Sequence, residues 1–419
     1  MVENKDMEEL KEGWRRVKLG EIGDIVTGKT PSTKEKDNFG AEYLFLTPKD
    51  MKGEKNIYLT ERNVSKIGVL KLLKQIIKPD SVCVSCIGSD MGKVCIVKKK
   101  CITNQQINSI TNIKNSFDYR YIYYKLSKMK EFFHNMAGGT TMPIINKTLF
   151  SEIIIEVPPL ETQEKIASIL SALDDKIEIN NEMNKTLEEM AQTLFKRWFI
   201  DFDFPNENGE PYRSSGGKMV DSELGEIPEG WRIDSIYELA DYINGTSFKS
   251  NEYGDHGLPV IKIVELKNGI TDSTKFCISD KDKKFHLKNG EILFSWSGNP
   301  QTSIDIFIWS LGKAILNQHT FKVVPYNQKM DSYIYFLLKY LKPKFCDIAS
   351  NKQTTGLGHV TVKDLKNLKI AFNYEEIYKF CEISQNIFKK LLDNQQEIQS
   401  LTEIRDTLLP KLMSGEIEV

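Results

Sequence analysis

The sequence predicts two copies of a mixed α/β (α+β) domain, each followed by a long helix. The tripeptide Gly-Trp-Arg at 13–15 recurs 217 residues later, at 230–232. Beyond it the copies stay in step, so that Ile102–Gln105 matches Ile315–Gln318. Each copy then ends in a long amphipathic run. A period of this length exceeds the ~20–50 residues of a solenoid unit, and we interpret it as a duplicated domain.

Short apolar runs bounded by Gly, Pro, Asn and Asp predict the strands of each domain. These runs are Tyr43–Leu46, Ser81–Cys86, Val94–Val97, Val260–Val264, Ile292–Trp296 and Phe321–Val324.

Two aromatic-rich segments, Asp118–Met129 and Asp331–Leu341, predict helices that begin with an Asp N-cap. Their paired tyrosines have the chemistry to stack on bases. Their recurrence at the same helix positions favours a place in the core instead.

The two long runs carry apolar residues about every 3.5 positions, which is the spacing of a coiled coil. One Asn stands on each stripe, and a polar residue at such a position commonly fixes the register. A pseudo-two-fold relation between the copies would place the helices antiparallel, with one domain at each end. The predicted core positions are Ile166, Leu173, Asn180, Leu187 and Leu194 in the first helix, and Ile387, Leu391, Asn394, Ile398 and Leu401 in the second.

These patterns divide the chain into five segments. We expect a first domain at 1–158, a long helix at 159–204, a linker at 205–228, a second domain at 229–372, and a second long helix at 373–419. The linker is rich in Gly, Ser, Asn and Pro, which predicts turns.

Charge is segregated along the chain, although the net charge is only −1. Residues 1–158 hold 26 basic and 19 acidic side chains (+7), and residues 229–372 hold 19 and 15 (+4). Both helical segments are acidic, with 5 against 10 at 159–204 (−5) and 5 against 9 at 373–419 (−4). Clustered Lys and Arg favour binding to phosphates, so the domains rather than the helices are candidates for nucleic-acid contact.

Motifs of catalysis are missing from the sequence. It has no Gly-x-x-x-x-Gly-Lys-Ser/Thr loop, no Gly-x-Gly-x-x-Gly after a strand, and no Asn/Asp-Pro-Pro-aromatic tetrapeptide of amino-methyltransferases. The charged start of the chain does not resemble a secretory signal, and no apolar run reaches the ~18 residues of a membrane span. We expect a non-catalytic cytoplasmic protein that binds no cofactor or metal.

The cysteines offer one alternative, a metal site, because Cys83, Cys86, Cys95 and Cys101 lie within a span of 19 residues. Four thiols at such spacing can bind zinc. The second copy has Leu293, Trp296 and Ala314 at three of the matching positions, which favours small apolar side chains in a core.

Several motifs resemble the specificity (S) subunits of type I restriction–modification systems, and together they span both halves. Pro158–Ala167 resembles that family's Pro-Pro-Leu helix entry, and Gly28–Ser32 resembles a turn of its recognition domains. Further matches are Pro211–Val220 in the linker and Leu409–Ile417 near the C-terminus. The second copy departs at the turn, where it has Gly245–Phe248.

The resemblance implies a subunit that reads double-stranded DNA. Each recognition domain would read one half of a bipartite site, and the helices would set the spacer. Two methyltransferase (M) subunits would bring S-adenosylmethionine and dock around the helices. Restriction (R) subunits would bring ATP- and Mg²⁺-dependent activity.

Polar loop residues that recur in both copies are the candidates for DNA contact, because amides, hydroxyls and cations read bases and phosphates. For each, a role as a turn or cap residue is the alternative. The candidates are Thr30, Ser32, Lys34, Asn104, Gln105, Thr140, Thr141 and Lys147 in the first copy, and Lys249, Ser250, Asn317, Gln318, Thr354, Thr355 and His359 in the second.

Two other functions remain open at this point. One is an enzyme, either a fused methyltransferase or a nuclease, against which the missing motifs count. The other is a coiled-coil scaffold or adaptor without DNA specificity, whose retention on a DNA column would not depend on salt.

Overall fold

The computed structural model describes residues 10–136, 144–353 and 356–419. The chain forms two compact units, Met1–Lys176 with Leu401–Val419 (unit 1) and Ile177–Ser400 (unit 2). Each unit therefore combines one domain with parts of both long helices.

Unit 1 is built on two five-stranded mixed sheets, ordered β2-β11-β8-β9-β5 and β3-β6-β4-β10-β7, with β1 paired antiparallel to β12. The strands are β1 Arg15–Lys18, β2 Asp24–Thr27, β3 Phe39–Gly40, β4 Tyr43–Leu46, β5 Asn56–Ile57, β6 Asn63–Val64, β7 Ile76–Ile77, β8 Ser81–Ser85, β9 Val94–Val97, β10 Cys101–Thr103, β11 Ile107–Thr111 and β12 Ile154–Val157. The helices are α1 Leu19–Ile22, α2 Lys66–Leu70, α3 Tyr119–Ser127, α4 Lys130–Met136, α5 Lys147–Glu152 and the start of α6 Leu160–Phe199.

Unit 2 repeats this plan with a four-stranded sheet, β16-β25-β21-β23, a five-stranded sheet, β17-β19-β18-β24-β20, and three strand pairs, β13-β14, β15-β27 and β22-β26. Its strands are β13 Met219–Ser222, β14 Gly225–Pro228, β15 Arg232–Ser235, β16 Ala240–Asn244, β17 Tyr253–Gly254, β18 Leu258–Ile261, β19 Phe276–Cys277, β20 His286–Leu287, β21 Ile292–Ser295, β22 Ser297–Gly298, β23 Asp305–Ile308, β24 Ala314–Leu316, β25 Thr320–Pro325, β26 Gly358–His359 and β27 Lys369–Phe372. Its helices are α7 Ile263–Asn268, α8 Pro300–Ser303, α9 Asp331–Asn351, α10 Val362–Asn367 and most of α11 Tyr374–Met413.

The two aromatic helices differ in how they start. Asp118 caps α3, since its carboxylate accepts hydrogen bonds from the backbone N–H groups of Arg120 and Tyr121. The predicted cap at Asp331 is wrong, because Asp331 is already the first helical residue of α9. Helix α9 also runs ten residues beyond the predicted end at Leu341, past Pro343, because the buried Phe345 and Ala349 extend its apolar face.

The tyrosines of these helices belong to the core, as the repeat suggested. Tyr121, Tyr333 and Tyr335 are fully buried, while Tyr123 packs against the same core as Tyr121 and is partly buried. The predicted strand Val260–Val264 is wrong at its end, since β18 stops at Ile261 and α7 starts at Ile263.

The long helices pack against each other within each unit. In unit 2, Asn180 Nδ2 donates to Glu397 Oε2 at 2.8 Å, and Asn394 Nδ2 donates to Asn184 Oδ1 at 2.8 Å. Residue numbers rise on one helix as they fall on the other, so the helices run antiparallel. Asn180 and Asn394 are fully buried, and each bonds to a different partner rather than to the other asparagine.

In unit 1 the helices pair through a charged cluster. Asp174 accepts from Arg405 Nη1 at 2.9 Å and also from the Tyr124 hydroxyl. Lys55 donates to Asp175 Oδ1 at 2.7 Å. The cluster joins a loop of the domain to both helices.

The thiols of unit 1 lie in its interior. Cys83 and Cys95 are directly opposite each other on β8 and β9, and both pack with Cys101 among aliphatic side chains. Burial raises the pKa of Cys101 well above its usual range. These environments suit neutral thiols that fill apolar space.

Within the described ranges, no helix is both long and apolar enough to cross a membrane.

Candidate nucleic-acid interface

In unit 1 the predicted Gly28 turn lies against the turn between β10 and β11. Gly28 N–H donates to the Ile107 carbonyl at 3.1 Å, and Thr30 Oγ1 donates to Gln105 Oε1 at 2.6 Å. A Cβ on Gly28 would lie 2.2 Å from the carbonyl oxygens of Thr103 and Asn104. Only glycine allows the two backbones to approach so closely. This approach at Gly28 brings the Thr30 and Gln105 side chains within hydrogen-bond distance.

A third segment joins these turns next to Gln106. The Asn108 amide donates to the Ile145 carbonyl at 3.0 Å, and Ile145 N–H donates to the Cys86 carbonyl at 3.0 Å. Cys86 N–H in turn donates to the Gln106 carbonyl at 2.7 Å. The exposed Lys147, two residues after Ile145, is thereby positioned near the β10–β11 turn.

Asn104 and Gln105 have different environments in that turn. Asn104 is 8% exposed, its Oδ1 accepts from Gln106 N–H at 3.1 Å, and its Nδ2 donates to Gln106 Oε1 at 2.8 Å. These bonds brace the turn. Gln105 is exposed and can present its amide nitrogen outward, so of the two it is better placed to meet a ligand.

Unit 2 repeats the contact between the two turns. Gly245 N–H donates to the Thr320 carbonyl and Thr246 N–H to the Leu316 carbonyl, both at 3.0 Å. A Cβ on Gly245 would lie 2.0 Å from the Asn317 carbonyl oxygen. Gln318 is exposed at the tip, as Gln105 is in unit 1.

The sequence reasoning missed Trp296 and His319, which adjoin this turn. The two rings lie 5.7 Å apart, and Trp296 Nε1 donates to Asn244 Oδ1 at 3.0 Å. The predicted residue His359 is exposed on β26, opposite Ser297 of β22. The signal for Trp296 was present, because an indole stands where the first copy has Cys86.

The remaining candidates lie away from the β10–β11 and β24–β25 turns or outside the described residues. Lys34 is exposed beyond the Gly28 turn, and Ser32 accepts from Asn38 Nδ2 through its carbonyl at 3.0 Å. Lys249 and Ser250 lead into a single 3₁₀ turn. Thr140, Thr141, Thr354 and Thr355 lie outside the described residues.

The charge near Lys249 is partly neutralised. Glu252 accepts from the Lys249 backbone N–H at 2.7 Å and pairs with Lys281 at 2.5 Å. These hydrogen bonds lower the pKa of Glu252 to about 2. Glu252 therefore stays ionised and balances Lys281, leaving Lys249 as the cation of this loop that faces solvent.

The model of the type I restriction modification DNA specificity domain matches two segments of the chain, residues 11–189 and 228–402. The chain belongs to this family. The two matches begin just before β1 and β15, so each covers one copy of the repeat.

Relatives and solved structures agree with this assignment. The type I restriction enzyme MjaIX specificity subunit of Methanocaldococcus jannaschii is 31% identical over 99% of this chain and 96% of its own length. The HindI specificity subunit of Haemophilus influenzae is 29% identical over 68% of this chain and 74% of its own length. The crystal structure of a type I S subunit from M. genitalium shares the fold, with a TM-score of 0.60 at 18% identity, covering 95% of this chain and 96% of that one.

Proposed function

We propose that this chain is the sequence-specific DNA-binding subunit of a type I restriction–modification complex and that each domain reads one half of a bipartite site. One observation carries the proposal. In both units a glycine turn is packed against a polar turn that exposes a glutamine, Gln105 in one and Gln318 in the other. Two similar reading surfaces on a single chain suit a target with two parts.

The chemistry of these surfaces fits base and phosphate contact. An exposed glutamine amide can bond to adenine in the major groove, and hydroxyls accept or donate to several base edges. Lys34 and Lys147 in unit 1 and Lys249 in unit 2 would contact phosphates, which position the protein without reading sequence. Trp296 and His319 give unit 2 an additional aromatic surface.

The long helices would fix the spacer between the half-sites and dock two methyltransferase subunits. Exposed apolar side chains on the helices support the docking, among them Ile179, Met190, Ile383 and Ile404. The methyltransferase subunits would supply S-adenosylmethionine, and restriction subunits would supply ATP- and Mg²⁺-dependent activity. This chain would contribute no reacting group.

Mapping of methylated adenines tests the proposal. The chain is expressed with its methyltransferase subunit in a host that lacks other adenine methylation, and modified bases are located by single-molecule sequencing. A motif of two parts with a fixed gap is expected. A continuous motif would contradict the two-domain reading.

The scaffold alternative predicts a different result. If a soluble complex forms but leaves DNA unmodified, and if the chain elutes from a DNA column without salt dependence, it is an adaptor. A DNA-reading chain elutes at a salt concentration that reflects the phosphates it neutralises.

A further inference from the structure

Unit 1 contains an open pocket of about 580 Å³ that the established family assignment does not explain. Trp14 is half-buried in its wall, and the exposed Leu10 is at its edge. The other lining residues are Lys11, Lys125, Lys128, Met129, Glu156, Pro410, Met413 and Ser414.

Unit 2 has a pocket at the corresponding place in the repeat. Tyr121 of α3 matches Tyr333 of α9, and the β1–β12 pair matches the β15–β27 pair, with Arg15 opposite Val157 and Arg232 opposite Phe372. The ends of α11 and α6 also match. On this basis six lining positions correspond, namely Leu10 with Ile227, Lys125 with Leu337, Met129 with Leu341, Glu156 with Ala371, Met413 with Phe199, and Ser414 with Ile200.

In unit 2 this place is largely filled by the segment that follows α6. The Phe202 and Phe204 rings lie 5.2 and 5.3 Å from the Trp231 ring, the second of them stacked on it. Trp231 is 9% exposed, and the remaining pocket is about 260 Å³. The filling segment, Asp201–Phe204, alternates acidic and aromatic residues.

In unit 1 the positions that match Phe202 and Phe204 are Glu416 and Glu418, and neither supplies a ring to Trp14. Gly415 of the tail lies next to Trp14, since a Cβ on this glycine would be 2.9 Å from the indole. The positions that line the cavity beside Trp14 therefore match those beside Trp231, where two aromatic rings lie in unit 2. In unit 1 the tail packs Ile417 and Val419 against the core and contributes no ring.

The walls of the unit 1 pocket are also more basic than those of its counterpart. Lys125 and Lys128 stand where unit 2 has Leu337 and Tyr340, and Lys11 adds a third cation. None of the three lysines forms an ion pair with a described residue; Lys11 and Lys125 instead donate to backbone carbonyls of the tail. The one acidic residue, Glu156, is paired with Arg16 at 3.1 Å.

We propose that the pocket around Trp14 binds an acidic, aromatic peptide segment of a partner protein, with two rings packed on Trp14 and carboxylates against Lys11, Lys125 and Lys128. The ring sites follow from Phe202 and Phe204 in unit 2. The carboxylate sites follow from the three lysines, which form no ion pair with a described residue; the Lys125 ammonium lies 6.0 Å from the centre of the Trp14 ring. Burial lowers the pKa of Lys125, and a bound carboxylate would oppose that shift.

The test uses the full chain and a fluorescein-labelled peptide with the sequence of residues 200–209, IDFDFPNENG. Fluorescence anisotropy should show saturable binding. Replacing both phenylalanines of the peptide by alanine, or both aspartates by asparagine, should weaken binding about tenfold or more. Equal binding of the asparagine peptide would overturn the charge argument, and equal binding of the alanine peptide would overturn the ring argument.

Variants of the protein locate the site. Lys128→Glu reverses an exposed charge at the pocket and should weaken binding about three- to tenfold. Trp14→Ala removes the ring platform and should weaken it by at least about tenfold. The matched control is Lys130→Glu, an exposed lysine outside the lining, which should bind as the unaltered chain does.

Two outcomes would overturn the proposal. One is the absence of saturable binding by the unaltered chain. The other is an equal loss in Lys128→Glu and Lys130→Glu, which would mean general attraction to a basic surface. Because Lys128 is exposed, Lys128→Glu should leave the thermal unfolding profile unchanged. The test therefore holds even if Trp14→Ala fails to fold.

Discussion

Gly28→Ala isolates the contact that positions the proposed reading surface of unit 1. The backbone at Gly28 is not in the left-handed region, so alanine causes no conformational strain there and the effect is purely steric. The new Cβ would lie 2.2 Å from the Thr103 and Asn104 carbonyl oxygens. Since an ordinary contact is at least about 3.4 Å, the turns must separate by more than about 1 Å.

The expected cost is that of an overpacked site, about 1–3 kcal/mol, which lowers the unfolding temperature of a unit of this size by roughly 2–12 °C. Differential scanning calorimetry measures this shift, and mapping of methylated adenines reports recognition. The half-site read by unit 1 should lose specificity, while the other half-site stays unchanged.

Gly20→Ala in α1 is the matched control. Its Cβ would approach Ser151 Cβ no closer than 3.2 Å, which small shifts can accommodate. Its unfolding temperature and methylation motif should match those of the unaltered chain. If Gly28→Ala also behaves as the unaltered chain does, close packing of the two turns does not position the reading surface.

Three further predictions concern the helices and pH. Asp174→Asn leaves Arg405 without its buried partner and should lower the free energy of unfolding, measured in urea, by about 3 kcal/mol. Asp175 is more exposed, so Asp175→Asn should lower the free energy of unfolding by under about 1 kcal/mol. Equal effects of the two substitutions would contradict the role of burial. Asn180→Leu removes a fully buried amide and should raise the free energy of unfolding by about 1 kcal/mol, and a decrease would show that the asparagine stabilises the helix pair. Burial raises the pKa of Asp331 to about 6, so as pH falls the folded chain binds this proton at a higher pH than the unfolded chain does. The contribution of Asp331 to the free energy of unfolding therefore falls as pH rises from about 4 to 6. Asp331→Asn should remove that part of the pH dependence in urea titrations, and an unchanged pH profile would contradict the assignment.

The periodic features of the sequence were the ones that predicted structure well. The recurrence of Gly-Trp-Arg and the 3.5-residue spacing identified the repeated domains and both long helices, because burial of one face constrains a whole run of residues. A local cap signal was correct at Asp118 but wrong at Asp331, although a short acidic side chain begins the predicted aromatic helix at both places. The repeat and the helical spacing are patterns in the sequence itself, so they can be predicted without the fold.

Other features depend on contacts between residues that are distant in sequence, or on choices that the local sequence does not decide. The apolar run Val260–Val264 has no period that separates strand from helix, and α7 starts inside it, where Glu265 accepts from Lys262 N–H at 3.0 Å. Asn104 and Gln105 have the same chemistry, yet one braces the turn and the other is exposed. Trp296 follows β21 and His319 precedes β25, and only the pairing of these strands in the fold brings the two rings together.

The most direct test of the two-domain reading is a pair of methylation maps, from Gln105→Ala and from Gln318→Ala, each expressed with the methyltransferase subunit. Both glutamines are exposed, so neither change should unfold the chain. Loss of one base contact costs about 1–3 kcal/mol of discrimination. Each variant should therefore tolerate other bases in one half of the motif, a different half for each variant, with the gap unchanged. If either variant relaxes both halves, or if neither changes the motif, the account of two separate reading surfaces is contradicted.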